Sequence, residues 1–163
     1  MSFEREKPNK LGLYLHIPFC SSLCHYCDFN KTARGQEDDF FKYCQSLEKH
    51  FDCWYESPFL NNQLFTSLNF GGGTPSLLSY HYENLFRKLQ ACLTAECEIS
   101  LEANPNDLSQ EKLKIWKDLG FNRISIGVQS FQDKGLNFLK RDHTVKGANL
   151  GIDLAKKYFK KIN

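Results

Sequence analysis

Cys20, Cys24 and Cys27 lie within FCSSLCHYCDF, with three residues between the first pair and two between the second. Thiolates are the usual ligands of iron–sulfur clusters and also bind zinc. Three of them can hold three irons of a [4Fe–4S] cluster and leave the fourth iron open to a small molecule. A single zinc would need another donor, for which His16 and His25 are candidates. Cys44, Cys53, Cys92 and Cys97 are scattered along the chain. Cys44 and Cys92 fall on apolar stripes of predicted helices, where cysteine behaves as a small hydrophobe. These four are read as structural or incidental.

Other polar groups could complete a site. Gly71, Gly72 and Gly73 allow positive φ and close backbone approach to a ligand, and Thr74 adds a hydroxyl. Free amides in such a turn can bind a carboxylate or phosphate, although the same residues could form a plain tight turn. The run matches neither of the common glycine-rich nucleotide-binding patterns. Glu102 can accept from an amine or a ribose hydroxyl, or form an ion pair with Arg123. Gln129 can donate and accept at once, or be a satisfied strand-end amide. Arg141, in LKRDH, can bind a carboxylate or stand in water.

These residues need a scaffold that gathers them. Strands are expected at 12–17, 66–70, 97–103 and 122–128. Helices are expected at 37–54, with Phe40, Cys44, Leu47, Phe51 and Trp54 on one face, and at 80–93, with Tyr82, Leu85, Phe86, Leu89 and Leu93 on one face. A third helix should start after an N-cap at Ser109 and stop at Gly120. A short helical piece at 131–139 and a longer one at 146–159 follow, and KKIN ends where a fifth strand should begin. Four β-then-α units imply parallel strands with right-handed crossovers. Within the strands Leu13, Leu15, Ile17, Leu68, Phe70, Ile99, Leu101, Ile124 and Ile126 alternate with polar residues such as Tyr14, His16, Asn69, Ser100, Glu102 and Ser125. Strands buried on both faces read as continuously apolar instead. One face should therefore pack on helices, while the other faces water or lines a polar, ligand-holding lumen. The cysteines, the glycine run, Glu102 and Gln129 each come at the carboxyl end of a strand, where parallel α/β folds place their sites.

The chain has 163 residues, 41% hydrophobic and 25% charged, with a net charge of +2. That suits one soluble globular domain. No basic stripe with interleaved aromatics supports a nucleic-acid partner. No apolar run reaches the length of a membrane span, and MSFEREKPNKLG lacks the apolar stretch of a secretion signal. A cytoplasmic location is the expectation, and the seven cysteines are not read as a disulfide framework.

The segments YLHIPFCSSLCHYCDFN, NFGGGTPSLL, LEANP, ISIGVQSF and KRDH, in that order, resemble the radical S-adenosylmethionine superfamily. Within it they are similar to the group holding HemW-type heme chaperones and oxygen-independent coproporphyrinogen III oxidases. The resemblance implies that Cys20, Cys24 and Cys27 ligate a [4Fe–4S] cluster. It places Tyr14, Gly72, Gly73, Thr74, Glu102, Gln129 and Arg141 as contacts to S-adenosylmethionine. It implies reductive cleavage of that cofactor to methionine and a 5′-deoxyadenosyl radical, a protein electron donor, and heme or porphyrin as a further ligand. The hard chemistry then belongs to the cofactors, and no side chain is assigned a catalytic role. Coproporphyrinogen dehydrogenases carry a further cysteine two residues after the third; here that position is Phe29, which favours the HemW type and heme binding or transfer. The family usually has glycine where this chain has Lys140. The expected architecture is α/β: a partial (βα)6 radical S-adenosylmethionine barrel with about four βα units. Residues 1–163 are expected to be its N-terminal part, with strand five, the last strands and a C-terminal domain absent and strand four left as an open edge.

Overall fold

The computed structural model describes residues 11–33, 35–58, 60 and 63–163; the reading of residues 1–10 as lacking a secretion signal lies outside them. Alternating apolar side chains build the sheet. Its strands are β1 (Leu11–Ile17), β4 (Phe65–Gly72), β5 (Leu93–Ala103), β6 (Arg123–Ile126) and β7 (Lys161–Ile162), in the spatial order β1-β4-β5-β6-β7. Every pairing is parallel. The helices are α1 (Glu37–Tyr55), α2 (Glu83–Leu89), α3 (Gln110–Leu119), α4 (Asp133–Phe138) and α5 (Val145–Ala155). A separate two-stranded ribbon joins β2 (Phe19–Cys20) to β3 (Thr32–Ala33). Among the described residues no helix is long and apolar enough to cross a membrane.

The two-faced sheet forms as the alternation requires. Ile17, Leu68, Phe70, Leu101 and Ile124 are buried in one core, whereas Asn69, Ser100, Glu102 and Ser125 stay partly accessible on the other face. Aromatic rings fill the space between β4 and the helices. Phe70 stacks on Phe86 at 5.4 Å, and Phe121 meets both edge-on at 5.1 and 4.8 Å. Buried polar groups within this core are paired, as burial demands. The Tyr82 hydroxyl donates to Pro75 O at 2.8 Å, and Trp116 Nε1 donates to Ser79 Oγ at 2.6 Å. The Ser109 cap accepts from Lys112 N at 3.2 Å, and Gly120 ends α3 in the left-handed conformation at φ 107°.

Several expectations require correction, among them the helix expected at 146–159, which ends at Ala155, and the strand expected at 122–128, which ends at Ile126. The helix foreseen at 80–93 is shorter: a 3₁₀ turn spans Pro75–His81, α2 ends at Leu89, and Leu93 opens β5 by pairing with Phe65. Trp54 leaves the apolar face of α1; it is exposed and its Nε1 donates to His50 Nε2 at 2.7 Å, while Tyr55 stacks on Phe51 at 5.2 Å. Finally, β6 is not an open edge. Lys161 and Ile162 add β7, with Asn163 N donating to Ile124 O at 3.0 Å and Ile126 N to Asn163 O at 2.7 Å. Glu98 braces this short strand by pairing with Arg123 at 3.1 Å and Lys161 at 2.8 Å.

Truncating Leu101 to Ala, in the middle of the sheet, should cost about 2–5 kcal/mol in denaturant unfolding, whereas Leu150→Ala, on an exposed position, should change little. The Lys161 hydrogen bond, with help from Arg123, holds the Glu98 carboxyl below its ordinary range. Its contribution is therefore present above the ordinary carboxylate pKa and lost as pH falls through the lowered folded value. Being largely exposed, the pair should make the parent more stable than Glu98→Gln by at most about 1 kcal/mol near neutrality, and that gap should close in acid.

Candidate functional site

The cysteine loop runs from β2 to β3, so the ribbon pins both of its ends. Thr32 N donates to Pro18 O at 2.8 Å. His16 Nε2 donates to Asn30 O at 2.8 Å, which leaves Nδ1 to accept from the Tyr14 hydroxyl at 3.1 Å. Within the loop Cys27 N donates to Cys24 O at 3.3 Å, and Lys31 Nζ donates to Cys27 O. The thiols share one electrostatic neighbourhood. Burial pushes the Cys20 thiol up; a Thr74 hydrogen bond opposes this, Cys27 and Cys24 reinforce it, and Lys31 opposes it. Cys44 differs, since burial pushes it to about 12, a value at which it is an inert core thiol. Cys92 and Cys97 are also buried, whereas Cys53 is exposed.

The glycine run comes within contact distance of this loop. Gly72 has φ 119°, a backbone conformation that side-chain-bearing residues rarely adopt. A Cβ on Gly73 would lie 2.9 Å from Cys20 Sγ and 2.7 Å from Phe19 O, so only glycine lets the turn sit against the thiol. Glu102 does not pair with Arg123, which is taken by Glu98. Its Oε2 accepts from Gly72 N at 3.1 Å instead, which ties the end of β5 to the turn after β4. Ser76 extends this tie: its hydroxyl donates to Asp107 Oδ2 at 2.6 Å and accepts from Asn104 N at 3.2 Å.

Arg141 closes the other side. Its Nη1 donates to Cys24 Sγ at 3.4 Å and its Nη2 to Gly127 O at 2.9 Å, while Nε is buried without a protein partner. The preceding residue, Lys140, has φ 51°. Glycine, the residue the resemblance leads one to expect here, would adopt that left-handed backbone without strain.

An open cavity of about 810 Å³ lies among these groups. Cys20, Cys24, Cys27, Gly72, Gly73, Thr74, Glu102, Gln129 and Arg141 line it. Tyr14 does not; it stands half-exposed on the same polar sheet face, where burial and then the Glu102 carboxylate raise its hydroxyl pKa. The cavity also takes in Lys31, Asn104 and Ser125, none of which is assigned a role in the site from the sequence. Ser125 lies on the polar face of β6 and Asn104 at the end of β5, so strand register was the signal available for both. Phe29 is also among the lining residues and is 66% exposed.

The donor set suits a thiolate-held cluster better than one zinc ion. Both ring nitrogens of His16 are engaged, and His25 packs edge-on against Tyr26 and Phe138. The three cysteines have cationic neighbours in Lys31 and Arg141, and the buried Arg141 Nε is a donor in need of an acceptor. Such a site can stabilise thiolates and hold an anionic group beside them.

Comparison with known proteins agrees with this geometry. The family model of the Radical SAM superfamily matches residues 14–163. The heme chaperone HemW of Lactococcus lactis is 41% identical over 143 residues, covering 85% of this chain and 35% of that protein. The oxygen-independent coproporphyrinogen III oxidase of Escherichia coli is 33% identical over 140 residues, covering 84% of this chain and 30% of that protein. The solved structure of coproporphyrinogen III oxidase (HemN) from Escherichia coli, a radical SAM enzyme, aligns with a TM-score of 0.80 at 30% identity, over 91% of this chain and 34% of that one. The chain thus spans about a third of the length of these relatives. The parallel sheet, the clustered cysteines and these matches together place the chain in the Radical SAM superfamily, as a protein similar to HemW and HemN.

Proposed function

We propose that this chain carries the cluster and S-adenosylmethionine site of a HemW-like radical S-adenosylmethionine protein, whose wider role is in heme or porphyrin metabolism. The observation that carries the reading is the meeting of three cysteines, a glycine turn and Arg141 around one cavity at the carboxyl ends of the strands. In this reading residues 1–163 supply the N-terminal part of the barrel core. Cys20, Cys24 and Cys27 would ligate the [4Fe–4S] cluster, which when bound supplies the electron for reductive cleavage of the sulfonium.

The protein's own part is placement and charge. Arg141 faces Cys24 and has the buried Nε donor to offer a carboxylate. Glu102 can accept from an amine while its Oε2 remains tied to Gly72 N. Gly72, Gly73 and Thr74 let the backbone come close to the ligand, and Gln129 presents an amide to the same cavity. Tyr14, outside the cavity lining, would act through its bond to His16, which in turn steadies the cysteine loop. A protein electron donor would need access to the loop, where Leu23, Tyr26 and Phe29 are exposed.

Phe29, where a coproporphyrinogen dehydrogenase would carry cysteine, favours heme binding or transfer over porphyrinogen decarboxylation. The structural similarity to HemN keeps the dehydrogenase as the second reading. A heme titration and a product assay on the same preparation separate the two: heme uptake without decarboxylation supports the first.

Anaerobic reconstitution with iron and sulfide should load about four irons per chain, with an electron paramagnetic resonance signal that shifts when S-adenosylmethionine is added. Replacing Cys20, Cys24 or Cys27 with Ala should abolish loading, and Cys44→Ala should not; uptake of one tightly held zinc in place of iron would contradict the reading. Arg141→Ala should weaken S-adenosylmethionine binding by roughly 10- to 100-fold, the range expected for a lost charge-assisted hydrogen bond, measurable by titration of that signal.

A further inference from the structure

His143 has no part in the site as described so far, yet it is 5% exposed and buried beside it. Beyond β6 the chain leaves the sheet. Gly127 N still donates to Ala103 O at 3.0 Å and Val128 N turns back to Ile126 O at 2.9 Å. The carbonyls of Gly127 and Val128 are met by side chains from the loop between α4 and α5. Arg141 Nη2 donates to Gly127 O at 2.9 Å, and His143 Nε2 donates to Val128 O at 3.0 Å. A carbonyl only accepts, so His143 carries its proton on Nε2. Its Nδ1 is then a bare acceptor, buried without a protein partner. Burial, and then the Arg141 guanidinium, lower its proton affinity, which favours this neutral form.

The next residue is Gln129, with φ 69°. A non-glycine residue in left-handed backbone is disfavoured unless its surroundings hold it there. Gln129 lines the cavity, and its Nε2 lies 3.1 Å from where a Cβ on Gly127 would stand. The Lys140 turn, also left-handed at φ 51°, brings Arg141 and His143 to consecutive carbonyls.

We propose that His143 is a positioning residue: with Arg141 it clasps the Gly127 and Val128 carbonyls and holds Gln129 in the left-handed conformation that sets its amide in the cavity. The clasp itself is a property of the protein fold; its effect on cofactor binding rests on the S-adenosylmethionine site proposed above. Arg141 is committed both to Cys24 and to Gly127 O, whereas the His143 side chain bonds to Val128 O. Glutamine can return a donor near the place of Nε2, and alanine cannot.

The test compares the parent chain with His143→Ala and His143→Gln. Without any cofactor, amide hydrogen exchange over residues 127–131 should quicken at least about tenfold in the Ala variant, with β1 and β4 unchanged, and the Gln variant should recover most of the protection. After reconstitution, S-adenosylmethionine should bind about tenfold more weakly to the Ala variant, with iron and sulfide content unchanged and with recovery in the Gln variant. Parent-like exchange at 127–131 in the Ala variant, or faster exchange in every strand alike, would overturn the clasp. If the parent itself binds no S-adenosylmethionine, the proposed function fails, while the exchange comparison still decides the role of His143.

Discussion

Parallel pairing is the constraint from which the site follows. Because β1, β4, β5 and β6 run in the same direction, their carboxyl ends come to one edge of the sheet, and so must whatever follows them. The register makes this concrete: Ile17 pairs with Gly72, Phe70 with Leu101, and Ala103 with Ile126. A slip of one residue would turn Phe70 out of the core and Asn69 into it. The fully buried Phe70, held between Phe86 and Phe121, prevents that slip. Core packing on one face thus fixes where polar groups stand on the other.

The strand ends are then tied to one another by groups that could also meet a ligand. Glu102 takes the Gly72 amide, Ser76 takes the Asn104 amide, and Arg141 spans from Gly127 to Cys24. The cysteine loop is anchored at both ends by the small ribbon and by His16. Lys31 and Arg141 bring positive charge to a place where burial, with Cys27 and Cys24 alongside, raises the cost of ionising Cys20. This is a charge balance suited to anionic sulfur.

Much of this was legible in the sequence because it is local. Period-two alternation in GLYLHI, SLNF and EISLE marked both sheet faces, and the motifs following each strand marked the site edge. The cysteine spacing carried its chemistry in a single loop. Long-range effects were not legible in the same way. The stripe from Tyr82 to Leu93 keeps helical spacing, yet Leu93 is drawn into β5 by its partner Phe65. Trp54 fits the α1 stripe, but the packing partner at that end of the helix is Tyr55. A strand of two residues such as β7 is too short to show any period. The Arg141–Cys24 contact joins residues 117 positions apart, and the left-handed backbone at Gln129 has no signature in its side chain.

The central claim is that three thiolates hold a cluster with one iron left for an exchangeable ligand. Mössbauer spectroscopy of the chain, reconstituted anaerobically with isotopically enriched iron, tests it most directly. The account predicts one iron site distinct from the other three, with parameters that change when S-adenosylmethionine is added. Four equivalent irons that do not respond to it would mean that a protein side chain closes the fourth position, and would contradict the account.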